Sequence, residues 1–245
     1  MKAFQLQCKM EMKRVLRNRY FVFWSLAMPI VFYYIFTKVV NTHAPDPAAW
    51  KAHYLMSMTA FSVMGSSIMT LGIRIVQERA QGWSVFMRLT PLPNYIYLSA
   101  RMAGQSVIHV FSICVIFFAG AILNRVSLAP AEWVMSGGWI LLGSLPFLLI
   151  GTLIGCMKKV ETAAAISNVL YMLLAVCGGM WMPIEVMPKT MQNIAHWLPS
   201  YHFGSGAWEI VQGGMPGWKN ILVLLTYFVV FMLLSKYIQR KQETV

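Results

Sequence analysis

The placement of charge constrains this chain more than any other feature. Six long apolar stretches, near Tyr20–Thr37, Tyr54–Ile73, Ala103–Leu123, Trp139–Cys156, Ala163–Met182 and Asn220–Ser235, contain no Asp, Glu, Lys or Arg. Most of them approach the ~20 residues that cross a ~30 Å hydrocarbon core; the fourth and sixth are shorter and borrow neighbours. If residue 1 lies inside, the inner side gathers Lys2, Lys9, Lys13, Arg14, Arg17, Arg19, Arg74, Arg79, Arg88, Arg101, Lys158, Lys159, Lys236, Arg240 and Lys241. The outer side keeps Lys38, Lys51, Arg125, Lys189 and Lys219, so the basic residues divide 15 against 5. Such a bias predicts an even number of crossings with both termini in the cytoplasm of a cell membrane. The fold class expected is an all-α membrane protein with six transmembrane helices.

A soluble domain of 245 residues does not hide a composition that is 58% hydrophobic and 11% charged. The net charge of +12 reads as topology signal and contact with anionic lipid heads, not as a nucleic-acid surface. The longest polar gap is too short to fold alone, so residues 1–245 are read as one transmembrane domain. Cys8 falls on the inner side, and Cys114, Cys156 and Cys177 lie in or at the ends of spans, so no structural disulfide is expected. No cysteine pair has metal-ligand spacing. The first span has a basic flank of 19 residues and no small-residue cleavage site after it, which reads as a retained anchor, not a signal peptide.

Residues 1–19 carry Phe4, Cys8, Met12, Val15 and Leu16 at helical spacing, with Lys9, Lys13, Arg14 and Arg17 on the other side. That pattern suits an amphipathic helix in the membrane interface; a solvated basic leader is the plainer alternative. Pro29 and Pro146 fall inside the first and fourth spans and predict kinks. Asn41–His53 is read as a short outer loop. In the second span Thr59, Ser62, Ser66 and Thr70 follow steps of 3, 4 and 4 and share one face, with Gly65, Ser67 and Gly72 adding to its smallness. That face serves close helix packing or lines a substrate path; both readings stand on the sequence.

Between the second and third spans, residues 74–102 form a long inner segment with Gln77-Glu78-Arg79, Gly82 and Arg88-Leu89-Thr90-Pro91-Leu92-Pro93. Trp83, Val85, Phe86 and Leu89 make an apolar set on a short helix there, which needs lipid or a partner to cover it. Lys158–Thr162 is a tight turn with Thr162 as the expected cap of the fifth span. Gly151 and Gly155 form a GxxxG pair, a weak signal of close backbone approach. After the fifth span, Gly178-Gly179-Met180-Trp181-Met182-Pro183 is followed by Pro188, Pro199 and Gly213-Gly214, with Trp197, Tyr201, Phe203 and Trp208 between them. Residues 183–219 therefore read as an extracellular cap of short helices at or dipping into the outer leaflet. Broken helices at that depth must be buried in protein or line a cavity.

The chemistry missing from the chain is as telling. No GxxxxGK[ST] loop is present to cradle a nucleotide phosphate. His43, His53, His109, His196 and His202 show no HExxH or similar metal-binding spacing, and Asp46 is the single aspartate. No catalytic residue, metal or cofactor is expected, and the chain is not read as an enzyme. His109, Gln105 and Asn168 are polar groups inside spans, read first as packing residues. Ion-coupled transport is disfavoured because none of the six stretches holds a carboxylate. A transporter with neither coupling carboxylates nor an ATP site takes its energy from another subunit.

Over essentially its whole length the chain resembles the permease subunit of ABC-2 type exporters. Three features carry the resemblance: the basic amphipathic leader; Glu78, Arg79, Gly82, Leu89, Thr90 and Pro91 in the loop after the second span; and Gly178, Gly179, Pro183, Pro188, Gln192, Ile194, Ala195 and Pro199 after the fifth. The resemblance implies two permease copies, identical or related, and two ATPase subunits that hold the ATP and magnesium. It implies that the leader and the Glu78–Pro91 loop face those ATPases. Glu78, Arg79, Gly82, Trp83, Phe86, Leu89, Thr90 and Pro91 are accordingly the expected coupling residues. Many members carry a small residue and then a glutamate after the glycine; here Trp83, Ser84, Val85 and Phe86 stand there, which makes that contact more apolar. The expected function is ATP-driven export of an amphipathic, lipid-like or antibiotic cargo past Thr59, Ser62, Ser66, Thr70 and Asn168, with antibiotic resistance as one outcome. Export of a polysaccharide or glycolipid, or a non-transporting immunity or sensor role, remain the alternatives.

Overall fold

The computed structural model describes residues 19–40, 46–82 and 94–243. Every regular element among them is helical. Helix α1 spans Arg19–Ile35 and runs on as a π-helical segment, Phe36–Val40. Helix α2 is one continuous element over Pro47–Ala80, whose middle, Ser66–Thr70, is π-helical. Then come α3 (Asn94–Leu123), α4 (Pro130–Gly143), α5 (Leu145–Ile154) and α6 (Val160–Cys177). A 3₁₀ turn, Ile184–Val186, precedes α7 (Lys189–Ala195), α8 (Pro199–Val211) and α9 (Trp218–Glu243).

Five helices among the described residues are long and apolar enough to cross a membrane: α2, α3, the α4–α5 pair, α6 and α9. The apolar part of the first span, Leu26–Val39, is shorter. Each of the six apolar stretches thus falls on a helix, and their ends shift for identifiable reasons. The second begins seven residues earlier than Tyr54, because Asp46 caps it and Pro47 opens its first turn. Asp46 Oδ1 accepts from the amides of Ala48 and Ala49 at 3.0 and 3.1 Å. Most of the expected Asn41–His53 loop is therefore helix, with 41–45 outside the described residues. The third begins at Asn94, before Ala103, because Arg101 is buried and paired. The fifth begins at Val160 on an extended Lys159, so Thr162 is not its cap, and it ends at Cys177, before Met182, where Gly179 takes φ +77°. The fourth divides at Ser144, two residues ahead of Pro146, as its proline predicts.

Helix α2 is the axis of the molecule. Leu55, Met56, Met58, Val63, Met64 and Ile68 on it are fully enclosed. It packs against α1, α3, α5, α6 and α8, whereas α9 buries only 11% of its apolar window and presents the remainder outward. A helix that is apolar all round and covered on several sides sits in the middle of a bundle. The segment after the fifth span is built into the bundle. Helix α8 lodges among α2, α4 and α9, with Phe203 and Ala207 fully buried. Its hydrogen bonds cross the bundle: Trp208 Nε1 donates to Ser57 Oγ at 2.9 Å and Trp139 Nε1 donates to the Phe203 carbonyl at 2.9 Å. Tyr54 Oη donates to the Trp181 carbonyl at 2.6 Å. Buried polar tips of aromatic side chains need such partners.

The small residues of α2 and α5 do meet. A Cβ built on Gly151 would lie 2.2 Å from the Ser67 carbonyl oxygen, and one on Gly155 would lie 2.8 Å from the Ile75 side chain. A Cβ on Gly65 would meet the Tyr171 ring at 2.7 Å. The GxxxG pair therefore seats α5 against α2, Gly151 on the π-helical turn and Gly155 on Ile75 beyond it.

Candidate functional site

The last turns of α2 and the first turns of α3 flank residues 83–93, and three charged side chains meet there. Glu78 is 3% exposed and Arg101 2%. Arg101 Nη2 pairs with Glu78 Oε2, and Arg74 Nε lies 3.6 Å from Glu78 Oε1, one helical turn back. Tyr97 Oη donates to Glu78 Oε2 at 3.3 Å, and its ring lies 4.5 Å from the Arg101 guanidinium carbon. Arg79, on the next face of α2, donates through Nη1 to the Cys156 carbonyl at 3.2 Å, which ties this end of α2 to the turn after α5. Gly82 closes α2 with φ +77° and nothing within 4 Å of its Cβ position, so only the backbone conformation demands glycine there.

These positions modify the expectation for the coupling residues. Glu78 and Arg79 are not on a loop; they belong to the end of a transmembrane helix, and Glu78 is turned into the chain. Trp83, Phe86, Leu89, Thr90 and Pro91 lie outside the described residues, as does the amphipathic leader 1–18. What the structure adds is a clamp that fixes both stems of the 83–93 segment to each other. A buried carboxylate–guanidinium pair holds only while both partners stay, because either one alone is an uncompensated charge in low dielectric.

Polar groups continue from the clamp into the bundle. On α3, Arg101, Gln105 and His109 recur at steps of four on one buried face. His109 is enclosed, with Nε2 3.3 Å from Ser67 Oγ and Nδ1 3.3 Å from Ser144 Oγ. Ser67 lies in the π-helical turn of α2, and Ser144 sits at the break between α4 and α5. The histidine therefore packs where two helices depart from regular geometry, and π turns of this kind concentrate at functional positions.

The hydroxyl face of α2 is graded. Thr59 is fully buried and donates to its own helix at the Leu55 carbonyl, 2.7 Å away; Ser62 is also buried. Ser66 and Thr70 are half-buried. Asn168, on α6, is exposed, set between the exposed Ile166 and Val169. At the far end of the bundle, a cleft of about 790 Å³ opens between the start of α2, the turn after α3 and the end of α8, lined by Lys51, Asn124, Arg125, Glu132 and Gln212 among others.

Comparison with known proteins places this architecture. Residues 37–237 match the model of the ABC-2 family transporter protein. This chain belongs to the ABC-2 family. A relative in Bacillus subtilis (strain 168), the transport permease YvfS, is 73% identical over all 245 residues and over its own full length. A more distant one from the same organism, the linearmycin resistance permease protein LnrN, is 28% identical over 183 residues, covering 72% of this chain and 44% of LnrN. The chain is thus a membrane transport permease of ABC-2 type with several apolar helices, a family that normally partners an ATPase subunit.

For this ABC-2 permease, sequence reading singled out Glu78 and Arg79 but treated Arg101 and Arg74 as topology cations only. A signal for Arg74 was present, since it stands four residues before Glu78; Arg101 heads the 101–105–109 ladder, which marks a face of α3 but not its partner. Ser144 carried no sequence signal; it matters because α4 ends beside it.

Proposed function

We propose that this chain is the membrane-spanning subunit of an ATP-driven exporter, working as two permease copies, identical or related, with two ATPase subunits. The observation that carries the reading is that a family of transport permeases is matched by a chain without any phosphate-cradling loop. The energy then comes from a partner that binds ATP and magnesium. In this reading six spans leave both termini and the Glu78 end on the cytoplasmic side of a bacterial cell membrane, with residues 1–19 at the interface and 183–219 on the outer side. Glu78, Arg79, Gly82, Trp83, Phe86, Leu89, Thr90 and Pro91 form the coupling region: the segment 83–93 docks on the ATPase, and the Glu78–Arg101 clamp transmits its motion to α2 and α3 together.

The cargo is amphipathic, of lipid-like or antibiotic type. It passes between the two copies along Ser66, Thr70 and Asn168, with Thr59 and Ser62 lining the same helix deeper in. The exposed Asn168 supports this path, because an amide facing hydrocarbon is costly and is kept where it meets protein, water or substrate. The name of LnrN, a resistance permease, is in keeping with such a cargo. The test is purification with the cognate ATPase into lipid bilayers and a screen of amphipathic compounds. Cargo-stimulated ATP hydrolysis is expected, and Asn168→Leu is expected to change which compounds stimulate. If yield falls while the profile stays the same, α6 carries no path; if no ATPase co-purifies, the exporter reading fails.

Topology has its own measurement. A cysteine placed at Lys158, in a background without accessible thiols, is expected to resist an impermeant reagent added to intact cells, whereas one at Lys189 reacts. Labelling of position 158 from outside inverts the arrangement.

A further inference from the structure

At the end of the bundle away from Glu78, a second polar network has no part in the coupling scheme. His202 on α8 is 1% exposed, and both of its ring nitrogens face acceptors. Nε2 lies 2.9 Å from the carbonyl oxygen of His196, which can only accept. Nδ1 lies 2.7 Å from Oδ1 of Asn220, at the start of α9. The amide of Asn220 is oriented by its other end: Nδ2 is 3.0 Å from Glu209 Oε1 and 3.4 Å from Ser205 Oγ. Glu209 receives two more donors, Ser205 Oγ at 3.0 Å and the amide of Gly217 at 2.5 Å.

The hydrogen count decides the state. With Glu209 ionised, Asn220 must turn its NH₂ toward the carboxylate and its oxygen toward Nδ1. His202 then needs a hydrogen on each nitrogen. If the amide is reversed, its NH₂ serves a neutral Nδ1, but its oxygen faces Glu209, which must then carry a hydrogen. Both arrangements hold the same number of protons, one more than a neutral imidazole and a carboxylate. Without that proton, two acceptors meet within the buried network, which is costly.

We propose that His202 and Glu209 together form a proton-binding site, the single proton being shared through Asn220 and joining α8 to the head of α9. The titratable and charged groups around it come from every neighbouring element. Helix α8 brings Tyr201, whose ring lies 5.2 Å from that of His202. The segment after α7 brings the His196 ring, 4.8 Å from Tyr201, and the 3₁₀ turn brings Glu185, whose charge reaches Tyr201. Helix α9 brings the exposed Lys219. Helix α2 brings His53, stacked on Trp208 at 4.6 Å, and Lys51, which lines the cleft. Helix α4 brings Glu132, held by the Ala129 amide at 2.8 Å, and α6 ends nearby at Cys177. Among the described residues, none of these groups donates a hydrogen bond to His202 Nδ1 or to Glu209 Oε1. Release of the proton turns a joining contact into a repelling one and loosens the seat of α8 against α9.

The test uses the full chain in lipid bilayers at neutral pH. Solid-state NMR of ¹⁵N-histidine reads the ring, and infrared spectroscopy reads the carboxyl stretch. The expected result is one buried ring protonated on both nitrogens, lost in His202→Gln, or else a neutral ring with a protonated carboxyl band that disappears in Glu209→Gln. In Glu209→Gln, the new amide donates to a reversed Asn220, so a doubly protonated ring is expected to become neutral with a bare Nδ1. A neutral His202 ring together with an ionised Glu209 overturns the proposal. If His202→Gln does not fold, the ring that changes in Glu209→Gln identifies His202, and the same outcomes decide.

Discussion

Glu78→Gln is expected to remove most of the folded protein. The substitution leaves the Arg101 guanidinium, whose side chain is 1% exposed, without its carboxylate in the interior. Breaking one partner of a buried ion pair costs about 3–5 kcal/mol, a large part of the stability of a chain this size. Arg101→Leu is also expected to be harmful, because Glu78 loses its closest cation and keeps Arg74 at 3.6 Å. The double variant Glu78→Gln/Arg101→Leu removes both charges and is expected to recover much of the loss. Detergent-extracted yield and thermal midpoint measure this. The double variant also separates folding from coupling: a protein restored in yield yet unable to stimulate its ATPase places the clamp in energy transfer. One that folds and exports normally makes the clamp a folding device only.

Gly151→Ala is the second substitution with a large expected effect, and its cause is purely steric. The added methyl meets a backbone carbonyl at 2.2 Å, not the end of a flexible side chain, so α5 and the π-helical turn of α2 must separate. Overpacking of this kind costs about 1–3 kcal/mol. The expected result is a lower thermal midpoint with no change in which compounds stimulate the ATPase, since neither Gly151 nor Ser67 is among the proposed path residues. Gly138→Ala is the control: its Cβ position meets nothing within 4 Å, and no loss of stability is expected there. Equal midpoints for the two variants count against the close α2–α5 contact.

Much of this architecture was legible in the residues, because the bilayer sets both the length and the polarity of a spanning helix. All six apolar stretches became helices. Their ends were harder, since the reading used charge as a stop signal. Arg74 and Arg101 break that rule by pairing with Glu78, so α2 and α3 run on past the expected boundaries. The start of α2 was a different kind of miss: Asp46-Pro47 is a helix opening, but it was read within a proline-containing loop. The segment after the fifth span was read as short helices that must be buried in protein or line a cavity, and α8 is buried among its neighbours. Its depth was not visible, because α8 has no long apolar run and is held by specific bonds from Trp139 and Trp208. For the candidate site, Glu78 was recognised but its partners were not. Ion pairing between helices depends on the rotation of each about its axis, and spacing within one helix does not fix that.

The wide turn at Ser66–Thr70 has a consequence for how this chain can vary in length. Removing one residue from an ordinary stretch of helix turns everything beyond it by about 100°. In α2 such a loss would swing Glu78 away from Arg101 and Gly72 away from Ile154. Within 66–70 the helix already carries one residue more per turn than it needs. A deletion there closes the turn to regular winding and leaves both halves facing as before. This five-residue segment is therefore the slack in an otherwise rigid axis, the place where the register of the membrane half and that of the clamp half can be adjusted independently.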